Sequence, residues 1–148
     1  MSTSSRKIAD LHPTLQPLCE QFKAKCAAAG IPVLITCTWR TSQYQADLYA
    51  LGRTQAQLDA AGVRAIAQPG KSKVTNAKPG LSKHEATLNG KPASRAFDFV
   101  PLDAKGACIW DAKNPVWAKC GAIALGLGLD WGGAWKSFKD MPHCQLKG

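Results

Sequence analysis

One acidic residue inside an otherwise apolar segment constrains this chain more than any other feature. The segment Ala96-Phe97-Asp98-Phe99-Val100-Pro101 has the composition of a buried β-strand, in which successive side chains point to opposite faces. Phe97 and Phe99 then point into the core, while Asp98 points to the opposite face. Because an unpaired carboxylate is costly to bury, Asp98 is expected to contact a cation, a metal ion or several hydrogen-bond donors.

Hydrophobic periodicity places helices and further strands around this segment. Apolar residues at three- and four-residue steps predict helices, and runs of β-branched residues predict strands. The element order favours one α+β domain over residues 1–148, with a small, largely antiparallel sheet flanked by helices. The predicted order is a helix within 11–29, a strand over Val33–Arg40, short helices over 43–51 and 54–61, a loop over 68–80 with a brief extended segment at 74–76, the strand at 96–101, a helix from Asn114-Pro115 to Gly128, and an extended stretch at Asp130-Trp131.

Two of these elements carry expectations about side-chain direction. Strict alternation along the first strand puts Ile35 and Cys37 on one face and Arg40 on the other, where the strand end becomes polar. An arginine there either leaves the sheet for solvent or reaches into a cleft, where it could stabilise an oxyanion or hold a substrate carboxylate. Along the following helix, Tyr44 and Leu48 are expected to face the core.

Composition excludes several classes of protein. The 148 residues carry 19 Lys and Arg against 10 Asp and Glu, and this net charge of +9 favours polyanionic partners. The basic residues are scattered and form no basic helix, which argues against nucleic acid and leaves an anionic cell wall as a partner. No apolar run is long enough to insert stably into a membrane, and no apolar leader follows the polar N-terminus, so synthesis as a cytoplasmic polypeptide is expected.

The cysteines indicate core packing rather than metal binding. The six cysteines include no C-x-x-C pair, so a cysteine-based zinc knuckle is not expected. Each lies in an apolar context, as buried free thiols usually do, and a single disulfide is the alternative.

Histidines and acids supply a candidate catalytic site. His12 stands before a proline at the edge of the first helix and is treated as a bystander, which leaves His84 and His143. Two imidazoles and one carboxylate, here Asp98, are a set that holds catalytic zinc and leaves a position for water, whose pKa zinc lowers to about 7. Asp140, three residues before His143, is placed either to move a proton or simply to pair with that imidazole.

These residues resemble the signature of a known family of zinc peptidases. The pattern Ser82-x-His84, Ala96-x-Asp98 and Asp140-x-x-His143 is similar to that of the D-Ala-D-Ala carboxypeptidases and dipeptidases. The block Asp130-Trp-Gly-Gly-x-Trp-x-x-Phe-x-Asp-x-Pro-His143 is closer to one branch, the L-alanyl-D-glutamate peptidases, which include bacteriophage endolysins and a bacterial wall hydrolase. Further matches extend over nearly the whole chain, at Leu11-His12-Pro13, Thr38-Trp39-Arg40-Thr41, Gln45-x-x-Leu48-Tyr49-x-x-Gly52-Arg53-Thr54 and Val74-Thr75-Asn76-Ala77.

The resemblance implies a zinc peptidase fold of the D-Ala-D-Ala carboxypeptidase and hedgehog-like type, and a role for each matched residue. One Zn²⁺ per chain would be held by His84, Asp98 and His143. Asp140 corresponds to the catalytic acid/base, and Arg40 to the arginine that binds substrate or transition state. The tentative substrate contacts are Arg40, Ser82, Trp131 and Gln145, with core packing as the alternative for Trp131 and support of His143 as the alternative for Gln145.

The spacing of the first two ligands departs from the family. His84 and Asp98 are fourteen residues apart, whereas relatives usually separate them by seven with a glycine-rich link. The additional residues include the turn signal Asn89-Gly90, so a longer excursion can leave both ends in place. Glu85, next to His84, is the rival ligand if the insertion disturbs the site.

The expected function is that of a phage-type endolysin that cuts between L-Ala and D-Glu in the peptide stem of peptidoglycan. Such an enzyme would be a monomer that accumulates in the host cytoplasm and reaches the wall through holes in the membrane. A single domain with no separate wall-binding module suits a Gram-negative host. Two rivals remain: a D,D-carboxypeptidase acting on terminal D-Ala-D-Ala, and a non-catalytic wall-binding module with a structural zinc, which would not need Asp140.

Overall fold

An antiparallel sheet of four strands lies at the centre of the fold. The computed structural model of the protein describes residues 2–148, and within them the central strands are ordered β1-β4-β6-β5 while β2 and β3 pair separately. This arrangement confirms the predicted α+β class. The elements are α1 (Leu15–Ala28), β1 (Val33–Cys37), α2 (Ser42–Ala50), α3 (Gln55–Ala61), β2 (Thr87–Leu88), β3 (Lys91–Pro92), β4 (Ala96–Pro101), α4 (Pro115–Gly126), β5 (Asp130–Trp131) and β6 (His143–Gln145), with single 3-10 turns at Ile8–Asp10, Lys83–Glu85 and Gly132–Ala134.

Helices α1 and α4 cover one face of the sheet. Phe22 of α1 packs against Phe97 and Phe99 of β4, with ring centroids 5.5 and 4.8 Å apart. Trp117 of α4 lies 5.3 Å from Phe99. Each of these rings is fully buried and contributes on the order of 2–3 kcal/mol to folding. Because β4 alternates, Asp98 is left on the face that the helices do not cover.

A β-bulge in β1 overturns one prediction about side-chain direction. Ile35 pairs with Phe99, but Cys37 rather than Thr36 pairs with Asp98. The additional residue reverses the alternation, so Ile35 joins the helix-covered core while Cys37 lies near Asp98. The prediction that Ile35 and Cys37 share a face was therefore wrong, and the strand ends at Cys37 rather than at Arg40.

Helices α2 and α3 form a second, smaller core beside the sheet. The Thr41 hydroxyl caps α2 by accepting a hydrogen bond from the backbone N–H of Tyr44 at 3.2 Å. Tyr44 and Leu48 are only partly buried, contrary to the expectation that they face the core, because α2 packs on α3 instead. The second core consists of Ala46, Tyr49, Ala50, Leu58 and Val63.

Three further sequence expectations can be compared with the structure. Residues 74–76 lie in an irregular segment and form no strand. All six cysteines are free thiols, and five are buried, but Cys108 is exposed and its expected burial was wrong. Within residues 2–148, no helix is both long and apolar enough to cross a membrane.

The residues inserted between His84 and Asp98 form a hairpin. Strands β2 and β3 are joined by Asn89 and Gly90, whose φ angles of 53° and 77° are those of a tight two-residue turn. At the base of the hairpin, the backbone N–H of Ala93 donates to the carbonyl oxygen of Ala86 at 2.9 Å. The two ends of the hairpin are therefore adjacent, and the chain enters and leaves the hairpin at the same place.

Replacing Thr87–Pro92 with Gly-Gly is expected to preserve metal binding and activity. The existing bond between Ala93 and Ala86 would then close a two-residue turn, so neither His84 nor Asp98 needs to move. Zinc content, turnover and melting temperature of the shortened chain are the measurements. A shortened chain that folds but loses zinc would mean that the hairpin itself positions the ligands.

Candidate metal centre and active site

His84 presents one ring nitrogen to the uncovered face of the sheet. Ser82 Oγ caps its 3-10 turn by accepting from the backbone N–H of His84 at 3.2 Å. The Nδ1 atom of His84 lies 2.9 Å from the carbonyl oxygen of Thr38. Because a carbonyl oxygen only accepts, Nδ1 carries the proton and Nε2 is left with a lone pair.

Asp98 and His143 face each other across the neighbouring strands β4 and β6, where they are directly paired. The Nε2 atom of His143 lies 2.7 Å from Gln145 Oε1 and donates to it, so Nδ1 carries the lone pair. Asp98 Oδ2 accepts a hydrogen bond from Arg40 Nη2 at 2.8 Å. Asp98 Oδ1 lies 3.3 Å from His84 Nε2 and 3.5 Å from His143 Nδ1.

Three atoms that can bind a cation therefore converge: His84 Nε2, Asp98 Oδ1 and His143 Nδ1. His84 Nε2 and Asp98 Oδ1 are buried and have no hydrogen-bond partner in the described part of the chain. Unsatisfied acceptors buried side by side cost free energy unless a cation shares their lone pairs. Two imidazole nitrogens and one carboxylate oxygen fit Zn²⁺ with an open coordination position. The other nitrogen of each imidazole is held by a hydrogen bond, which fixes the orientation of the ring.

Cys37 offers a second possible donor next to the same residues. Its Sγ, a nitrogen of His84 and an oxygen of Asp98 lie within 4.8 Å of one another. Cys37 Sγ lies 3.9 Å from His84 Nδ1, and that nitrogen already donates to Thr38. Burial raises the pKa of the Cys37 thiol, so a metal bound by Cys37 would have to displace its proton. His143 Nδ1, 3.5 Å from Asp98 Oδ1, and Cys37 Sγ are therefore the two candidates for the third ligand.

The protonation states of the three residues also suit a metal. Burial lowers the pKa of His84 and favours its neutral, metal-binding form. Burial alone would raise the pKa of Asp98, but the neighbouring His84, His143 and Arg40 outweigh it and hold that pKa well below its usual range. For His143, burial would lower the pKa, yet the adjacent carboxylates of Asp98 and Asp140 raise it, so a metal would have to displace a proton from this imidazole.

The converging atoms line a cavity of about 460 Å³. One side is formed by the irregular segment 74–77, and Trp135 and Phe138 contribute aromatic surface. The ring of Trp135 lies 5.3 Å from that of His143. Phe138 has a φ of 45°, a conformation that is rare for a bulky residue and marks local strain beside the cavity. The candidate residues that line the cavity are Arg40, Ser82, His84, Asp98, Asp140, His143 and Gln145.

Asp140 is the acidic group beside the proposed ligands. Its Oδ2 lies 3.9 Å from His143 Nδ1. Its backbone N–H donates to the carbonyl oxygen of Gly132 at 3.0 Å, and a side chain at position 132 would collide with the Asp140 carbonyl. Burial, reinforced by the charge of Asp98, raises the pKa of Asp140 to about 6, which suits a group that accepts and returns a proton near neutral pH.

Sequence comparison relates this arrangement to known peptidases. A family model described as D-alanyl-D-alanine carboxypeptidase matches residues 75–146, which include all four of these histidine and aspartate positions. The peptidoglycan L-alanyl-D-glutamate endopeptidase CwlK of Bacillus subtilis (strain 168) is 33% identical over 145 residues, covering 93% of this chain and 74% of CwlK. The protein is a metallopeptidase of the D-alanyl-D-alanine carboxypeptidase family. This confirms the resemblance drawn from its motifs.

A solved structure agrees on the fold of the peptidase. The L-Ala D-Glu endopeptidase ChiX of Serratia marcescens matches with a TM-score of 0.56, covering 98% of this chain and 89% of ChiX. The two sequences are 19% identical, so this likeness concerns the fold alone.

The tentative substrate contact Trp131, the rival ligand Glu85 and the bystander His12 lie away from the converging atoms. Trp131, a tentative substrate contact, is buried in the core, where its indole N–H donates to the Met141 carbonyl at 2.7 Å. The carboxylate of Glu85, the rival ligand, accepts hydrogen bonds from the backbone N–H groups of Ser82 and Gly80 at 3.0 and 2.8 Å. His12 accepts from the backbone N–H of Thr14. Trp135 takes the place at the cavity that was expected for Trp131.

Replacing Asp140 with asparagine is expected to stabilise the metal-free peptidase at neutral pH. Folding raises the pKa of this carboxyl from 3.8 to about 6, so the protonated form favours folding fully below pH 3.8 and that contribution is lost as the pH rises through 6. Above pH 6 the ionised carboxylate costs about 1–3 kcal/mol, which asparagine avoids.

Thermal unfolding with a chelator across this pH range tests the expectation. The variant should melt at a higher temperature than wild type at pH 8, and the difference should shrink as the pH falls toward 3.8. A difference that does not change with pH would contradict the assignment to this ionisation.

Proposed function

We propose that this peptidase is zinc-dependent and hydrolyses the bond between L-Ala and D-Glu in the peptide stem of peptidoglycan. The observation that carries the proposal is the convergence of His84 Nε2, Asp98 Oδ1 and His143 Nδ1 at one cavity. The choice of bond is supported by CwlK, whose name gives it this activity and which is similar over most of the chain.

His84, Asp98 and His143 would hold Zn²⁺ through these three atoms. When bound, zinc acts as a Lewis acid that polarises the scissile carbonyl and makes a water molecule acidic near neutral pH. Thr38 and Gln145 keep the two imidazoles in the tautomers that leave the inward nitrogens free.

Asp140 and Arg40 supply the remaining chemistry from this chain. Asp140 accepts the proton of the attacking water and returns it to the amine nitrogen of the leaving group. Arg40 holds Asp98 through Oδ2, which leaves Oδ1 for the metal, and its charge beside the cavity favours the negative charge that develops on the scissile carbonyl. Ser82 and Gln145 line the cavity and are within the surface that a peptide stem would contact.

Digestion of purified peptidoglycan tests the scissile bond. The proposal expects new L-Ala carboxyl ends and new D-Glu amino ends. The D,D-carboxypeptidase alternative, which the description of the matching family favours, expects free D-Ala instead. A digest that releases only D-Ala would overturn the choice of bond, and a digest with neither product would also remove the peptidase proposal for this substrate.

We also propose that the enzyme is a monomeric lytic protein that reaches the wall from the host cytoplasm. The similarity of Asp130–His143 to phage endolysins and the net charge of +9, which favours an anionic wall, support this role. A Gram-negative host that expresses the protein should stay intact until its inner membrane is permeabilised and should then lyse. Lysis that persists in Asp140→Asn would count against wall hydrolysis as its cause, and against the proposed lytic role.

A further inference from the structure

Gln45 is a buried polar residue that the proposed mechanism does not use. It lies on α2 and is fully buried. Its amide oxygen accepts a hydrogen bond from Arg40 Nη1 at 3.0 Å. Its amide nitrogen donates to the Ala77 carbonyl oxygen at 2.9 Å and to Thr75 Oγ1 at 3.3 Å. Because a guanidinium only donates and a carbonyl oxygen only accepts, the amide cannot be reversed without losing two bonds.

These bonds join a proposed metal ligand to one wall of the cavity. Arg40 donates to Asp98 through Nη2 and to Gln45 through Nη1. Gln45 then donates to residues 75–77, which line the cavity. The result is a continuous chain of hydrogen bonds among largely buried groups, where each bond is stronger than it would be in water.

The wall at 74–77 depends on side chains for its position. Within residues 2–148, none of its backbone groups forms a hydrogen bond with another backbone group. Arg53, just past the end of α2, provides a second anchor by donating to the Thr75 carbonyl oxygen at 2.9 Å. The Arg53 guanidinium is itself held over the Tyr49 ring at 3.7 Å. The wall is therefore attached to α2 rather than to a neighbouring strand.

We propose that Gln45 is a positioning residue that sets the wall at 74–77 relative to Arg40 and the metal ligands. The proposal rests on the proposed function, because it takes the wall to bind the peptide stem. In the described chain, the N–H groups of Thr75 and Asn76 and the carbonyl of Val74 have no partner, so a peptide can pair with them as with a sheet edge. A displaced wall weakens the binding of the peptide stem, which is measured as a higher KM.

Two substitutions at Gln45 separate its contact with Arg40 from its contacts with the wall. Glutamate keeps an acceptor for Arg40 but has no donor for Ala77, whose carbonyl its charge repels, so the Ala77 end of the wall is released while Arg53 still holds the Thr75 carbonyl. Gln45→Glu is therefore expected to raise KM about tenfold with kcat largely retained, the effect of losing a hydrogen bond used in binding. Gln45→Met fills a similar volume but loses the hydrogen bonds to Arg40, Thr75 and Ala77, and kcat/KM should fall about 10- to 100-fold through both constants.

Gln43 provides the matched control on the same helix. It is exposed, and its amide donates to Asp47 and to the Arg64 carbonyl rather than to the cavity wall. Gln43→Met should keep wild-type kcat and KM. Thr75→Val, which removes one acceptor of Gln45 without touching α2, should raise KM less than Gln45→Glu does.

Hydrogen exchange of the Ala77 backbone amide, which donates to Thr75 Oγ1 at 3.0 Å, is measured without substrate and tests positioning independently of catalysis. Exchange should be faster in Gln45→Glu and Gln45→Met than in wild type and unchanged in Gln43→Met, with zinc content equal in all four proteins. Wild-type kinetic constants in either Gln45 variant, unchanged exchange, or a Gln45→Glu effect confined to kcat would each overturn the inference. A wild-type protein that does not cleave the stem peptide would refute the proposed function instead, and the exchange comparison would still decide whether Gln45 positions the wall.

Discussion

Replacing Asp140 with asparagine is expected to lower kcat by about 10²–10⁴-fold, the usual contribution of a general acid–base group, while zinc stays bound. Asparagine has nearly the same size but cannot accept the proton of the attacking water. The Asp140 side chain accepts no hydrogen bond from residues 2–148, and its Oδ2 lies 3.9 Å from His143 Nδ1. The substitution should therefore leave the metal ligands in place, so kcat should fall while the zinc stoichiometry stays unchanged.

Asp130→Asn is a suitable control for this experiment. Asp130 lies on β5, ten residues before Asp140, and does not line the cavity. Its amide variant should retain both zinc and turnover. If Asp140→Asn keeps near-normal kcat with zinc bound, Asp140 does not carry the proton. If zinc and activity are lost together, Asp140 contributes to metal binding instead.

The parts of the fold that follow from local patterns were predictable. Alternation around Asp98 gave the limits of β4 and the face on which the acid lies. The Asn114-Pro115 cap marked the start of α4, where Asn114 accepts from the backbone N–H of Val116 at 3.0 Å. The Asn89-Gly90 signal predicted a turn, and the structure shows the hairpin that absorbs the unusual spacing. In each case the determining residues are neighbours in sequence.

The features that were missed depend on contacts between distant segments. The bulge opposite Asp98 reverses the direction of Cys37, and no local signal in β1 distinguishes it from regular alternation. Trp131 and Trp135 have similar glycine-rich surroundings, and only the packing of α4 against Trp131 assigns one to the core and the other to the cavity. Gln45 matched a family motif, but its partner Ala77 is 32 residues away, so its contacts could not be derived from the helix alone.

Replacing His143 with alanine is expected to abolish both zinc binding and activity. The variant keeps only two of the three proposed ligands, and a catalytic zinc site needs three protein donors to retain the ion. Zinc per chain, measured after gel filtration, should fall from about one to near zero. His12→Ala removes an imidazole remote from the cavity and should keep zinc and turnover.

Cys37→Ala decides between the two donor sets that share His84 and Asp98. If His143 Nδ1 is the third ligand, removing the thiol leaves all three donor atoms in place, because Cys37 Sγ lies 3.9 Å from His84 Nδ1, the nitrogen turned toward Thr38. Zinc should then be retained in Cys37→Ala and lost in His143→Ala. The opposite pattern would move the metal to Cys37, and Asp140 would then no longer be adjacent to a ligand atom of His143. Measuring zinc in the two variants side by side therefore tests two points together: which residues bind the metal, and whether Asp140 lies beside one of them.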